Sequence, residues 1–172
     1  MKEVMGSSKE LRIMHACELG AVGVYRRHKC VARYFFRSNL NQIDSMRVHE
    51  KDHATIFKGL VESRSGRLCY AHKLFFWGGL FYGVLVGFMG LRAIGISTYT
   101  IENIVDEEFN IALEKLKGDS ELYNKIKLVQ LEEQEHRKTG EELAGSKFVL
   151  AGFIQRLAKA GAYTAKYMAS ML

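Results

Sequence analysis

The chain runs for 172 residues without a single proline. At an average usage of roughly 5%, about eight or nine would be expected. Proline removes a backbone donor and clashes with the preceding turn, so it ends or kinks helices. Its absence favours long helices and argues against a turn-rich β-sandwich. The length suits one domain with a real core, and residues 1–172 are read as a single domain. Hydrophobic residues at 48% and charged residues at 26% exclude a disordered chain and a polytopic membrane protein.

The pattern predicts five or six helices. Ser7 and Glu10 have capping-box spacing and open the first, which runs to about Arg37. Residues 38–41 connect it to a second helix over about 42–62, ended by residues 63–66. A hydrophobic helix spans about 68–91. The fourth begins near Ser97 and stops at Lys117 and Gly118, a cation followed by a glycine. The fifth starts at Asp119 or Ser120 and stops near Gly140. The sixth covers about 146–171.

Inward stripes at helical spacing carry an anomaly. In the second helix the stripe is Ile43, Met46, Glu50, His53, Phe57 and Leu60; in the fifth it is Leu122, Ile126, Val129, Glu133 and His136. Both place a glutamate and a histidine where apolar residues belong. Burying a lone carboxylate costs several kcal/mol unless it is paired or bound to metal. Two further glutamates share this placement: Glu18 on the stripe Leu11, His15, Glu18, Val22, Tyr25, and Glu102 on the stripe Glu102, Val105, Phe109, Ala112, Leu116.

The chain therefore reads E…ExxH…E…ExxH, a near-duplication offset by 84 residues at the first glutamates and 83 at the second. In an E-x-x-H motif the two side chains share a helix face and reach one metal ion. Alone the motif is weak; its placement makes it specific. Four antiparallel helices would bring together four carboxylates and two imidazoles. That is the ligand set of a ferritin-like di-iron or di-manganese site. Hard carboxylates with one imidazole per metal suit iron or manganese better than structural zinc. His15, one turn before Glu18, is read either as a hydrogen-bonding partner of the ligands or as a core histidine.

Net charge is +6. Residues 63–101 and 143–172 each carry four basic and no acidic groups, whereas residues 102–142 carry six basic and twelve acidic ones. The most apolar stretch and the C-terminal helix are thus purely cationic, which suits anionic lipid. No nucleic-acid recognition motif is present. Arg26, Arg33 and Arg37 make a basic stripe on the first helix, read as a solvated face or a lipid-headgroup contact. Cys17, Cys30 and Cys69 form no CxxC pair, so neither a zinc ribbon nor a disulfide framework is expected. The N-terminal ten residues lack the apolar core of a secretory signal.

Between Lys73 and Arg92 lie 18 uncharged residues, roughly 27 Å of helix and marginal for a bilayer span. A span here would put the two halves of the metal constellation on opposite sides of a membrane. The segment is therefore expected to insert into one leaflet, with Trp77 and Tyr82 at the interface, or else to be a core helix buried in protein. Gly79, Gly83 and Gly87 form a small-residue face that suggests self-association or a lipid-presenting partner protein.

With these motifs assembled, the sequence resembles the demethoxyubiquinone hydroxylase family of ubiquinone biosynthesis, membrane-bound di-iron monooxygenases. The matching pieces are HACELGA at residues 15–21, EKDH at 50–53, the apolar glycine-rich helix with Trp77, IEN at 101–103 and EEQEH at 132–136. The resemblance implies an all-α, ferritin-like four-helix bundle with an added apolar membrane-interacting helix and a basic C-terminal helix. It implies two irons held by Glu18, Glu50, His53, Glu102, Glu133 and His136. The four glutamates would be catalytic, with Glu50 and Glu133 bridging. The implied reaction hydroxylates the ring of a polyprenyl demethoxyquinone, using O2 and electrons from NADH. The implied location is peripheral, on the cytoplasmic face of a bacterial inner membrane or the matrix face of the mitochondrial one.

The sequence departs from the family in four places. Glu108 stands where a histidine is frequent, and Phe109 where a tyrosine is; phenylalanine can neither donate a hydrogen bond nor pass a proton. Cys17 replaces the usual glycine, and the proline before the tryptophan is missing. Two alternatives fit the same residues. One is a different di-iron oxidase or peroxidase. The other is a metal-free quinone- or lipid-binding protein of the membrane surface.

Overall fold

The computed structural model describes residues 2–116 and 118–172, with side chains described from residue 8. Its regular elements are α1 (Lys2–Phe35), a short 3-10 turn (Arg37–Asn39), α2 (Leu40–Ser63), α3 (His72–Phe88), α4 (Leu91–Lys115), α5 (Ser120–Ala144) and α6 (Ala151–Met171). The fold is all-α with bundle-like packing, and no strand occurs among the described residues. Two compact units are distinguished. One reaches Phe88 and takes in Tyr163–Leu172; the other is Met89–Ala162.

Several predicted boundaries shift, and glycine accounts for two of the shifts. Helix α4 starts at Leu91, not near Ser97, because the break falls at Gly90, whose φ of 104° suits glycine. Gly95, inside the first turns of α4, does not interrupt it. Likewise α5 runs through Gly140 and ends at Ala144, where Gly145 adopts φ 61°. Gly95 and Gly140 instead let α4 and α5 approach closely. A methyl group on Gly95 would strike the backbone of Ala144 and Leu143, and one on Gly140 would lie 2.6 Å from the Tyr99 nitrogen.

The other ends move for local reasons. Helix α1 already begins at Lys2, so the capping box does not open it; the Ser7 side chain lies outside the described residues. Lysine, glutamate and methionine in that lead-in are strong helix formers. It ends at Phe35, and the predicted connection winds into the 3-10 turn, so α2 begins at Leu40. Helix α3 begins at His72, not residue 68. Cys69 is buried in an irregular lead-in, and its carbonyl accepts hydrogen bonds from the His72 backbone nitrogen and ring Nδ1. The Lys117 stop signal lies outside the described residues; Asp119 caps α5 by accepting from the Leu122 nitrogen at 3.0 Å. Helix α6 starts at Ala151, since residues 145–150 stay irregular and the Lys147 carbonyl accepts from Arg92.

In the first unit, α1 packs on both α2 and α3. The α1–α2 pair is antiparallel: Lys29 meets Asp44 while Glu18 meets His53. The α1–α3 pair is parallel, and glycines on both helices make it close. Methyl groups on Gly79, Gly23 and Gly83 would strike the backbone at Gly20, Phe76 and Val24 respectively. The glycine face of α3 is thus occupied by α1. The opposite face presents Leu74, Trp77, Phe81, Leu85 and Phe88, all exposed. The C-terminal residues of the unit return to this core, where Ala169 packs with Ala16, Cys69 and Phe75. No helix among the described residues is long and apolar enough to cross a membrane.

Candidate metal centre

Each unit buries one glutamate from an isolated position and one E-x-x-H pair. In the first unit α1 supplies Glu18, and α2 supplies Glu50 and His53. Antiparallel packing sets the middle of α1 against the middle of α2. The potential ligand atoms of the three residues all lie within 4.8 Å of one another. His53 Nδ1 is 3.9 Å from Glu18 Oε2.

The second unit repeats the arrangement with α4 and α5. Glu102 lies on α4; Glu133 and His136 lie on α5. Their potential ligand atoms also lie within 4.8 Å of one another. The Glu133 carboxylate accepts a 2.9 Å hydrogen bond from His136 Nδ1. All six side chains are 5% exposed or less. On α2 and α5 the stripes are otherwise core, with Ile43, Phe57, Leu122 and Ile126 fully buried, whereas Val22 on α1 and Val105 on α4 are half-buried. Every sequence-predicted ligand is therefore buried beside its own motif partners.

That donor set fits a hard metal ion. Two carboxylates and one imidazole per cluster supply anionic oxygen and one nitrogen donor, the chemistry preferred by iron and manganese. Burial of such groups costs several kcal/mol each unless opposite charge or metal compensates. Short spacing between carboxylates raises that cost, since like charges disfavour joint ionisation.

The residues flanking the clusters are also placed. Phe109 is buried on the Glu102-bearing face of α4, and Glu108 and Cys17 are half-buried. His15 is buried, with its ring centroid 6.1 Å from that of His72. Burial, with help from His72 and Lys58, lowers its pKa to about 4. It is a neutral core histidine. Arg26, Arg33 and Arg37 are exposed, and Arg26 lies 5.9 Å from the Phe76 ring centroid.

One group escaped the sequence reading. Asp106, one turn after Glu102, accepts from Gln130 Nε2 at 2.8 Å, Gln134 Nε2 at 2.8 Å and Arg137 Nη1 at 3.2 Å. The available signal was slight: a glutamine, Gln130, one turn before Glu133 and next to Val129 of the apolar stripe.

Fold and clusters define a class: an all-α protein with buried carboxylate–histidine clusters able to hold metal ions. Within that class the chain belongs to the family described as ubiquinone biosynthesis protein COQ7, which it matches over residues 6–169. This is the demethoxyubiquinone hydroxylase family, so the resemblance seen in the motifs holds, and the family's members are enzymes. No individually curated protein matches the chain.

Proposed function

We propose that the two clusters act together as one di-iron centre in a single ferritin-like domain, and that the protein is a monooxygenase of polyprenyl demethoxyquinones. Glu18, Glu50 and His53 would hold one side, and Glu102, Glu133 and His136 the other, with Glu50 and Glu133 as bridging carboxylates. The observation that carries this reading is the burial of four glutamates and two histidines in two matched clusters, in a member of this family. When bound, the irons would supply the redox chemistry that activates O2. The balanced reaction replaces a ring C–H by C–OH; O2 gives one oxygen to the ring and one to water, with two electrons derived from NADH and two protons.

The chain's own residues have three tasks in this scheme. The carboxylates hold and neutralise cationic charge in a dry interior, where electrostatic terms are stronger than in water. His136, hydrogen-bonded to Glu133, keeps that carboxylate oriented. The buried Phe109 excludes water and offers no hydroxyl, so any proton delivered on that side must travel by another group.

The substrate's apolar tail demands access to lipid. The exposed face of α3 and the cationic, aromatic-bearing α6 support peripheral binding to an anionic membrane, on the bacterial cytoplasmic or mitochondrial matrix side. The lipid-presenting partner or a second copy of the chain would contact these same apolar surfaces.

The test is iron content after anaerobic Fe(II) loading, followed by quinone turnover. Two irons per chain, lost in Glu50→Ala, with hydroxylated quinone formed by wild type and absent in Glu133→Ala, is the expected result. Well-folded protein that takes up no iron would overturn the proposal and favour a metal-free lipid-binding role. Iron uptake with peroxide or Fe(II) turnover, and none of the quinone, would favour a different di-iron oxidase.

A further inference from the structure

We infer that Asp106 is a positioning residue: it locks the register of α4 on α5 and so holds Glu102 against Glu133 and His136. The inference rests on the metal-centre reading for its functional consequence, but its structural content stands on unit-internal geometry. Helices α4 and α5 are antiparallel. Gly95 lies against Ala144, Tyr99 against Gly140, and Asn110 against Gln130. Between the second and third of these pairs, the Asp106 carboxylate faces three donors from two successive turns of α5. Those donors, Gln130, Gln134 and Arg137, bracket both ligands of that helix. On α4, Asp106 is one turn from the third.

The donors approach in a way that fixes the axial register. Gln130 and Gln134, four residues apart, both donate to Oδ1, while Arg137 donates to Oδ2. A slide of α5 by one residue is about 1.5 Å. Donor–acceptor distances of 2.8 Å would not survive it. Gln130 cannot adapt by flipping its amide. Its Oε1 accepts from Lys127 at 2.8 Å, and its two N–H groups serve Asp106 and Asn110. The amide is fully satisfied and fully buried. Glycine contacts at one end of the helix pair and this polar clamp in the middle leave the ligands no freedom to drift.

Asp106→Ala removes the clamp. Asp106→Asn keeps an oxygen for the two glutamine donors and loses only the arginine contact. Two measurements on the full chain test the inference. The first is Co(II) titration, read by affinity and by the visible spectrum of the bound ion. Loss of groups that orient metal ligands typically weakens binding 10–100-fold. That loss, with an altered spectrum, is expected for Asp106→Ala, and near-wild-type behaviour for Asp106→Asn. The second is amide hydrogen exchange of metal-free protein over residues 130–137. Exchange should quicken in Asp106→Ala and stay near wild type in Asp106→Asn, with α1 unaffected in both.

Wild-type affinity, spectrum and exchange in Asp106→Ala would overturn the inference. So would equal losses in both variants, which would make charge, not register, the cause. If the alanine variant does not fold, Gln134→Ala removes one Oδ1 contact and should give a smaller shift in both readouts; no shift in either would overturn the inference. Failure of wild type to bind Co(II) would instead count against the metal-centre reading. The exchange data would then decide the register claim alone.

Discussion

Adjacent glycines on α3 give opposite predictions for the same substitution. Gly78 is exposed, and a methyl group there would meet nothing within 4 Å. Gly79 is buried, and a methyl group there would strike the Gly20 carbonyl oxygen and lie 2.9 Å from the Gly20 carbonyl carbon and 3.1 Å from the Val24 nitrogen. In a helix interior, replacing glycine by alanine gains about 1 kcal/mol from backbone entropy. Gly78→Ala should collect that gain whole. Gly79→Ala gains the same term, but its methyl group meets backbone, which cannot rotate away. Helices α1 and α3 must separate, and Gly23 and Gly83 share the contact. Overpacking typically costs about 1–3 kcal/mol, and a clash with backbone belongs at the upper end. The net result is a loss of about 1–2 kcal/mol. For a chain of this size, about 1 kcal/mol moves the melting temperature by roughly 2–4 °C. Thermal unfolding followed by circular dichroism should therefore show Gly78→Ala a few degrees above wild type and Gly79→Ala a few degrees below. Equal stability of the two variants would refute the close α1–α3 approach.

Two further outcomes follow from buried and exposed aromatic groups. His28 is fully buried on α1, edge-on to Tyr25, and burial pushes its pKa down to about 3. Its folded pKa is thus depressed below the unfolded value near 6.5. The stabilisation it confers is present above about pH 6.5 and is lost as pH falls toward 3, with a slope of at most about 1.4 kcal/mol per pH unit. His28→Leu should flatten the fall in melting temperature between pH 7 and 4, leaving the share due to His15; an unchanged pH dependence would contradict this. Trp77 is the only tryptophan and is exposed on the apolar face of α3. Its emission should shift to shorter wavelength with anionic vesicles and much less with neutral ones; no shift with either would count against membrane binding through this face.

The carboxylate–histidine clusters were legible because burying a carboxylate without compensation is so costly. A glutamate and a histidine three residues apart on an otherwise apolar stripe have few explanations, and the neighbouring residues Ile43, Phe57, Leu122 and Ile126 lie in the core as the stripe requires. Helical spacing also identified the inward faces, since periodicity is a property of one helix at a time. Glycine was less legible because it serves two ends. Gly90 and Gly145 break helices through positive φ, whereas Gly95 and Gly140 sit within helices and admit a neighbour's backbone. A single sequence does not separate the two uses, so the helical pattern alone places the start of α4 too late and the end of α5 too early.

The same limit hides Asp106 and leaves the neighbour of the glycine stripe open. Both concern register between two helices, and register is invisible to the period of either one. Gly79, Gly83 and Gly87 imply a close helix contact, and the sequence leaves open whether the neighbour is another molecule or α1; in the structure it is α1. Asp106 reads as one more acid in a segment rich in acids until Gln130, Gln134 and Arg137 are set opposite it. The donor type of the clusters is therefore written into each helix, and their geometry into the pairs. If that division is right, substitutions that leave every ligand in place but disturb an α4–α5 contact should impair metal binding, whereas exposed substitutions such as Gly78→Ala should not. A chain tolerant of changes at Asp106 and Gly95 alike would show that the ligands alone determine the site.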